Sequence, residues 1–189
     1  MKPSHDWKGR LPNFTDEFTE YIAKQFDDIP SPEAIFYYIY GILCSTYYRT
    51  KFNDLLRIDF PKIPFITDKG KFLKISNLGQ KLADLQLKHT TPTSGVVRYL
   101  GKGTDSKVEF VERRKDEIWT NSTKHFDGIT DEVWDYIIGN YPVLSKWLKY
   151  RVGRDLAYTE VQEFLSIAAI ISDTIDLVNS VDSLTAGEF

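Results

Sequence analysis

The sequence predicts an α+β fold, with helices at both ends around a small antiparallel sheet or hairpin in the middle. Three observations predict it. Apolar residues recur at helical spacing on both sides of the chain, as Ile75, Leu78, Leu82 and Leu85 and again as Val161, Phe164, Ala168, Ile171, Ile175 and Val178. Between them, KVEFV at 107–111 alternates apolar with charged residues behind the glycine-rich GKGTDS, the pattern of half-buried strands. Helix-start signals stand at Ser31-Pro32-Glu33 and Thr130-Asp131-Glu132, where a capping hydroxyl precedes residues suited to the positive end of the helix dipole. With 42% hydrophobic residues in 189, the chain can bury one good core or at most two small ones. A single domain over 1–189 is expected.

Taken in order, residues 1–30 read as a polar lead-in and a short amphipathic helix, with Phe18, Tyr21, Ile22 and Phe26 at helical spacing. Residues 31–90 form the helical part. Its first helix starts at Ser31, continues through AIFYYIYGILCSTYY and ends near Lys51. The connector RIDFPKIPF follows, where Pro61 and Pro64 hold the chain stiff and extended, with Phe60, Ile63 and Phe65 expected to anchor in the core. A leucine-bearing helix then ends before Thr90-Thr91-Pro92. Residues 95–127 are expected as a hairpin or meander that turns at the glycines. In 130–182, one helix runs from Thr130 through Ile137 to a turn at Gly139-Asn140, a second opens at Pro142 and stops at Gly153, and a third begins with a capping box at Thr159-Glu160-Val161-Gln162.

Composition narrows the function classes. One cysteine, Cys44, excludes an internal disulfide and points to a reducing, cytoplasmic setting. The N-terminus has no apolar stretch of the secretory type. The longest uncharged run, 34–48, falls short of the roughly 18–20 residues that cross a bilayer, so a buried helix and no membrane are expected. His5, His89 and His125 are far apart and no zinc-type spacing exists, so neither metal nor cofactor is expected. GVVRYLGKGT superficially resembles a phosphate loop, but five residues separate Gly95 from Gly101 and Gly103 follows Lys102, so a hairpin turn is the expected form. Asp105, Lys107 and the glutamates near them imitate part of a nuclease site, a pattern that a highly charged chain produces by chance.

The net charge of −3 hides a segregation along the chain. Residues 1–48 carry four basic and seven acidic side chains, 49–154 carry twenty and thirteen, and 155–189 carry none and seven. The basic middle nominates a DNA surface: Lys62, Arg98, Lys102, Lys107, Arg113, Arg114, Lys115, Asn121, Lys124, Lys146, Lys149, Arg151 and Arg154, with Tyr99, Trp119 and His125 interleaved. Cations of this kind neutralise phosphates, while Arg and Asn on a ribbon or loop reach base edges. The plain alternative is a solvated surface, since Glu109, Glu112, Asp116 and Glu117 lie among these residues.

Several blocks, in order, resemble one family. IFYYIYGILCSTYYRTKF, LRIDFPKIPF, LGQKLADLQL and VWDYIIGNYPVLSKWLKYRVGR are similar to the C-terminal specificity region of Type ISP restriction-modification enzymes, over residues 31–175. The family commonly has His-Ser-Pro where this chain has Cys44-Ser45-Thr46, and a Gly-Gly-Tyr turn where this has Gly139-Asn140-Tyr141; both look like changes of scaffold. The resemblance implies a non-catalytic target-recognition module that binds double-stranded DNA, beside nuclease, helicase-like ATPase and adenine methyltransferase parts of the same polypeptide. No motif of those catalytic parts is present, so an excised domain or a stand-alone remnant is expected. The competing readings are a protein-interaction domain that docks through its acidic C-terminal helix at 159–180, and a small hydrolase or nuclease built on Asp105 and Lys107.

Overall fold

The computed structural model describes residues 12–26, 29–93 and 97–189; the lead-in through residue 11, with His5, and the glycine at position 95 lie outside them. The chain forms two compact units, 1–83 with 180–189 and 84–179, and the division falls inside its two longest helices. The α+β expectation holds: helices stand at both ends and an antiparallel sheet lies between them.

In the first unit, α1 (Asp16–Gln25) is capped by the Thr15 hydroxyl, which accepts from Phe18 N–H, and α2 (Pro32–Cys44) by Ser31, which accepts from Ala34 N–H. The first long helix does not continue to Lys51. It ends at Cys44 and a new one, α3 (Thr46–Lys51), begins, because Ser45 leaves helical geometry and its hydroxyl caps Tyr48 N–H while donating to Asp182. A short α4 (Asn53–Leu56) and α5 (Lys69–Gln86) follow, the latter where the leucine spacing places it. Aromatic rings close this core: Tyr38 stacks on Phe65 at 5.2 Å and on Phe72 at 4.6 Å. The two helices carrying Tyr38 and Phe72 touch at glycines, and a Cβ on Gly79 would sit 1.9 Å from the Tyr37 carbonyl oxygen.

Tyrosine hydroxyls fasten the proline connector to this core. Tyr48 Oη donates to Lys62 O at 3.0 Å, and Tyr38 Oη donates to Pro64 O at 2.8 Å while accepting from Ile66 N–H at 3.1 Å. Burial holds the Tyr38 phenol up at about 12. Ile63 and Phe65 pack against the core as expected, but Phe60 is 89% exposed. An extended segment alternates sides with period two, so residues in step with Ile63 and Phe65 face inward, and Phe60 falls on the other side with Lys62.

The second unit holds a four-stranded antiparallel sheet of β1 (Arg98–Gly101), β2 (Glu112–Arg114), β3 (Glu117–Trp119) and β4 (Lys124–Asp127), in the order β1-β4-β3-β2. KVEFV is not a strand. It makes a single bridge, Lys107 to Asp155, and both Glu109 N–H and Phe110 N–H donate to Thr120 O, a bulge that delays pairing until Glu112. GKGTDS does not turn a hairpin either, because β1 pairs with β4; Gly101, at φ 135, lies against Thr123 O, where a Cβ would meet it at 1.9 Å. The tight turn is instead at Lys115, with φ 54.

Thr130 caps α6 as predicted, but α6 (Asp131–Trp134) is a single turn. Ile137 belongs to a hairpin of β5 (Ile137–Ile138) and β6 (Tyr141–Pro142), since Gly139 at φ 60 takes the first position of a two-residue loop, where glycine is favoured. Helix α7 (Val143–Lys149) starts after Pro142. Helix α8 (Tyr158–Thr185) starts before Thr159: Glu160, in the first turn, reaches back to accept from Ala157 N–H, so the carboxylate half of a capping box forms around Ala157. Its Val161, Phe164, Ala168 and Ile171 lie in the core with Ile118, Phe126, Leu144 and Leu148. By length and composition alone α8 could cross a bilayer; that buried side packs against protein.

Candidate nucleic-acid interface

Strand pairing sorts the side chains of the sheet onto two faces. Tyr99, Phe126, Ile118 and Arg113 form one cross-strand row, with Phe126 and Ile118 in the core. The opposite face carries two rows, Arg98–Asp127–Glu117–Arg114 and Leu100–His125–Trp119–Glu112. Its charged groups are organised in pairs. Arg98 Nη2 meets Asp127 at 2.7 Å, and Arg114 binds both oxygens of Glu112 through Nε at 3.0 Å and Nη2 at 2.7 Å. Trp119 stacks on His125 at 4.4 Å, donates its indole N–H to Glu117 at 2.8 Å and lies 4.8 Å beneath the Arg114 guanidinium. The hydrogen bond from Arg114 pulls the Glu112 carboxyl below its ordinary range and raises Arg114 in turn.

Asn121 is buried, and its amide joins its own turn at 121–124 to the stretch at Lys107. Its Nδ2 donates to Lys107 O at 2.9 Å, and its Oδ1 accepts from Thr123 and Lys124 N–H. Lys102 N–H donates to Thr123 O at 3.3 Å. One end of the sheet therefore gathers the backbones that carry Lys102, Lys107 and Lys124. Lys102 and Lys107 are exposed and make no ion pair with any described residue, and the Lys124 ammonium lies over the Tyr99 ring at 5.8 Å. Lys115 is exposed at the opposite end, on the β2–β3 turn.

The remaining nominated residues are placed elsewhere. Arg113 faces the other side of the sheet and pairs with Asp131 and Asp135. Arg151 stacks on Trp147 at 3.3 Å, bonding Glu160 and Trp147 O, and Arg154 takes both oxygens of Glu160. The bonds from Arg154 and the Ala157 N–H bring Glu160 down to about 2. Lys146 lies over Tyr141, Lys149 is exposed, and Lys62 stands in the other unit, 3.9 Å from Asp59. Sequence reasoning missed the organising role of Glu112 and Glu117. The spacings Glu112-x-Arg114 and Glu117-x-Trp119 carried that signal, because residues two apart on a strand share a face.

The geometry offers little for catalysis. Asp105 accepts from Lys107 N–H at 2.9 Å, an ordinary turn contact, and among the described residues no three His, Cys, Asp or Glu side chains are grouped to hold a metal ion. Burial raises the Cys44 thiol. A groove of about 360 Å³ in the second unit is lined chiefly by Ile138, Val143, Ile167, Ile170 and Ile171, without a carboxylate.

The family model of the Type ISP C-terminal specificity domain matches residues 2–180. Three solved structures share the fold. A nuclease-deletion mutant of the Type ISP restriction-modification enzyme LlaGI, in complex with a DNA substrate mimic, superposes with a TM-score of 0.59 at 22% identity, covering 81% of this chain and 14% of that one. The ATP-dependent Type ISP restriction-modification enzyme LlaBIII bound to DNA gives 0.61 at 21% identity, over 86% and 12%. The DrdV–DNA complex gives 0.70 at 20% identity, over 91% and 20%. This chain therefore spans between about an eighth and a fifth of those proteins. No curated protein matches it.

Proposed function

The chain belongs to the family of Type ISP C-terminal specificity domains, and from that premise we propose that it is a target-recognition module, which binds double-stranded DNA and catalyses nothing itself. Its DNA would be presented to nuclease, ATPase and adenine methyltransferase parts of a larger polypeptide. One observation carries the reading: the backbones that bear Lys102, Lys107 and Lys124 meet at one end of the sheet, where Asn121 holds Lys107 O and Lys124 N–H and the neighbouring Thr123 O accepts from Lys102 N–H. Cations grouped on fixed backbone suit phosphates, which position a protein on the duplex while other side chains read it.

Fluorescence polarisation with a mixed-sequence duplex pool tests this. Binding weakens with salt, and three neutralised phosphates give a log–log slope of about −3. The double variant Lys102→Ala/Lys107→Ala lowers that slope by about two. An unchanged slope removes these lysines, and no binding at low salt, alone or within the longer polypeptide, overturns the function.

A second reading, docking onto other protein, is favoured by one observation. Ile58 and Phe60 are 81% and 89% exposed, whereas much of the apolar side of α8 is already in the core. That reading expects concentration-dependent association in sedimentation that Ile58→Ser/Phe60→Ser abolishes; a chain monomeric at all concentrations speaks against self-docking.

A further inference from the structure

We propose that Arg114 reads a guanine edge in the major groove, with Glu112 and Trp119 as positioning residues; this rests on the recognition reading above. Glu112 occupies the Nε and Nη2 side of the guanidinium, at 3.0 and 2.7 Å. Of the five N–H groups, Nη1 and the second hydrogen of Nη2 are left pointing along the end of the side chain. That end-on pair matches O6 and N7 of guanine. The plane of the fork is held as well: the guanidinium lies 4.8 Å over the Trp119 indole, which is fixed by its bond to Glu117 and its stack on His125.

The other arginines of this unit lack that arrangement. Arg154 uses both terminal nitrogens on Glu160, and Arg151 divides its nitrogens between Glu160 and Trp147 O. Arg113 faces the opposite side of the sheet, and Arg98 makes one bond to Asp127. Arg114 sits on the edge strand, in a two-stranded ribbon whose tip carries the exposed Lys115, and a ribbon of this kind enters a major groove. Charge decides between a base and a phosphate. Glu112, Glu117 and Asp127 share the face with Arg114 and Arg98, so a phosphate there meets more negative than positive charge, while an uncharged base edge does not.

The test is selection from a randomised duplex library with the full chain, its Arg114→Lys variant and its Glu112→Gln variant, each checked for an unchanged melting curve. The wild-type chain enriches a site containing at least one required guanine. Arg114→Lys keeps the charge but loses the fork, and preference at that one position falls by roughly 5- to 150-fold while the rest of the site is retained. Glu112→Gln lowers preference at the same position by less. If Arg114→Lys enriches the unchanged site, or weakens all sequences equally with a shallower salt slope, Arg114 is not a base reader and the assignment fails while recognition stands. If the wild-type chain enriches nothing, recognition fails and this assignment with it.

Discussion

The first unit closes its core with rings whose hydroxyls bond inward to a proline connector, whereas the second packs Ile118 and Phe126 inward and turns an ordered row of ion pairs and a stacked tryptophan outward. Their charges differ less than the chain order suggests. Residues 1–83 and 180–189 hold twelve basic and twelve acidic side chains, and 84–179 hold twelve and fifteen. The basic middle of the sequence is thus shared between two units, neither of them net positive. Under the proposed reading, affinity for DNA has to come from the local arrangement of a few cations, while the first unit supplies a core of packed rings.

The largest effect should break one side of that comparison. Phe72→Ala removes a fully buried ring that stacks on Tyr38 and packs at a tilt against Phe26, and costs about 3–5 kcal/mol; hydrogen exchange should rise across 31–80 in this variant. Tyr38→Phe keeps the ring but strands Ile66 N–H and Pro64 O, costing about 1–3 kcal/mol in denaturant unfolding. Asn121→Ala is the counterpart in the second unit. It leaves Lys107 O and two N–H groups without partners, costs about 1–2 kcal/mol, and should weaken DNA binding as much as losing the lysines it positions.

The smallest effect is in acid. Glu160 is held at about 2 in the fold against roughly 4.3 unfolded, so the ionised form is favoured by folding. Its contribution is present above the unfolded value and is lost as pH falls from there through 2. Glu160→Gln should lower the melting temperature at pH 6 and flatten its decline between pH 5 and pH 2; a variant with the same acid slope would show that the Arg151–Arg154–Glu160 cluster contributes nothing.

Much of the helical framework was legible because it rests on local chemistry. Caps at Ser31 and Thr130, the leucine spacing of α5 and the long apolar stripe of α8 are written in adjacent residues. The helix break and the strand order were misplaced for one cause, partners far away in sequence, whereas Ile137 was misplaced by a local two-residue turn. Ser45 breaks a helix by bonding Asp182, and β1 ignores its glycine turn to pair with β4. The candidate interface divides the same way. Its lysines could be nominated by charge, but the use of Asn121 as a tie and of Glu112 as a brace needed the sheet register.

What the sequence determined alone was therefore the class of fold, the helix starts and the resemblance carried by its ordered blocks, since these depend on spacing and residue type over short stretches. Tertiary structure decided which strand lies beside which, that Phe60 faces out while Phe65 packs inward, and which arginines are already occupied by carboxylates. The strand order depends on contacts across tens of residues, where no local periodicity records the partner. The short-range outcomes at Phe60 and Arg154 depend on which way the packed backbone turns a side chain, which spacing alone left open.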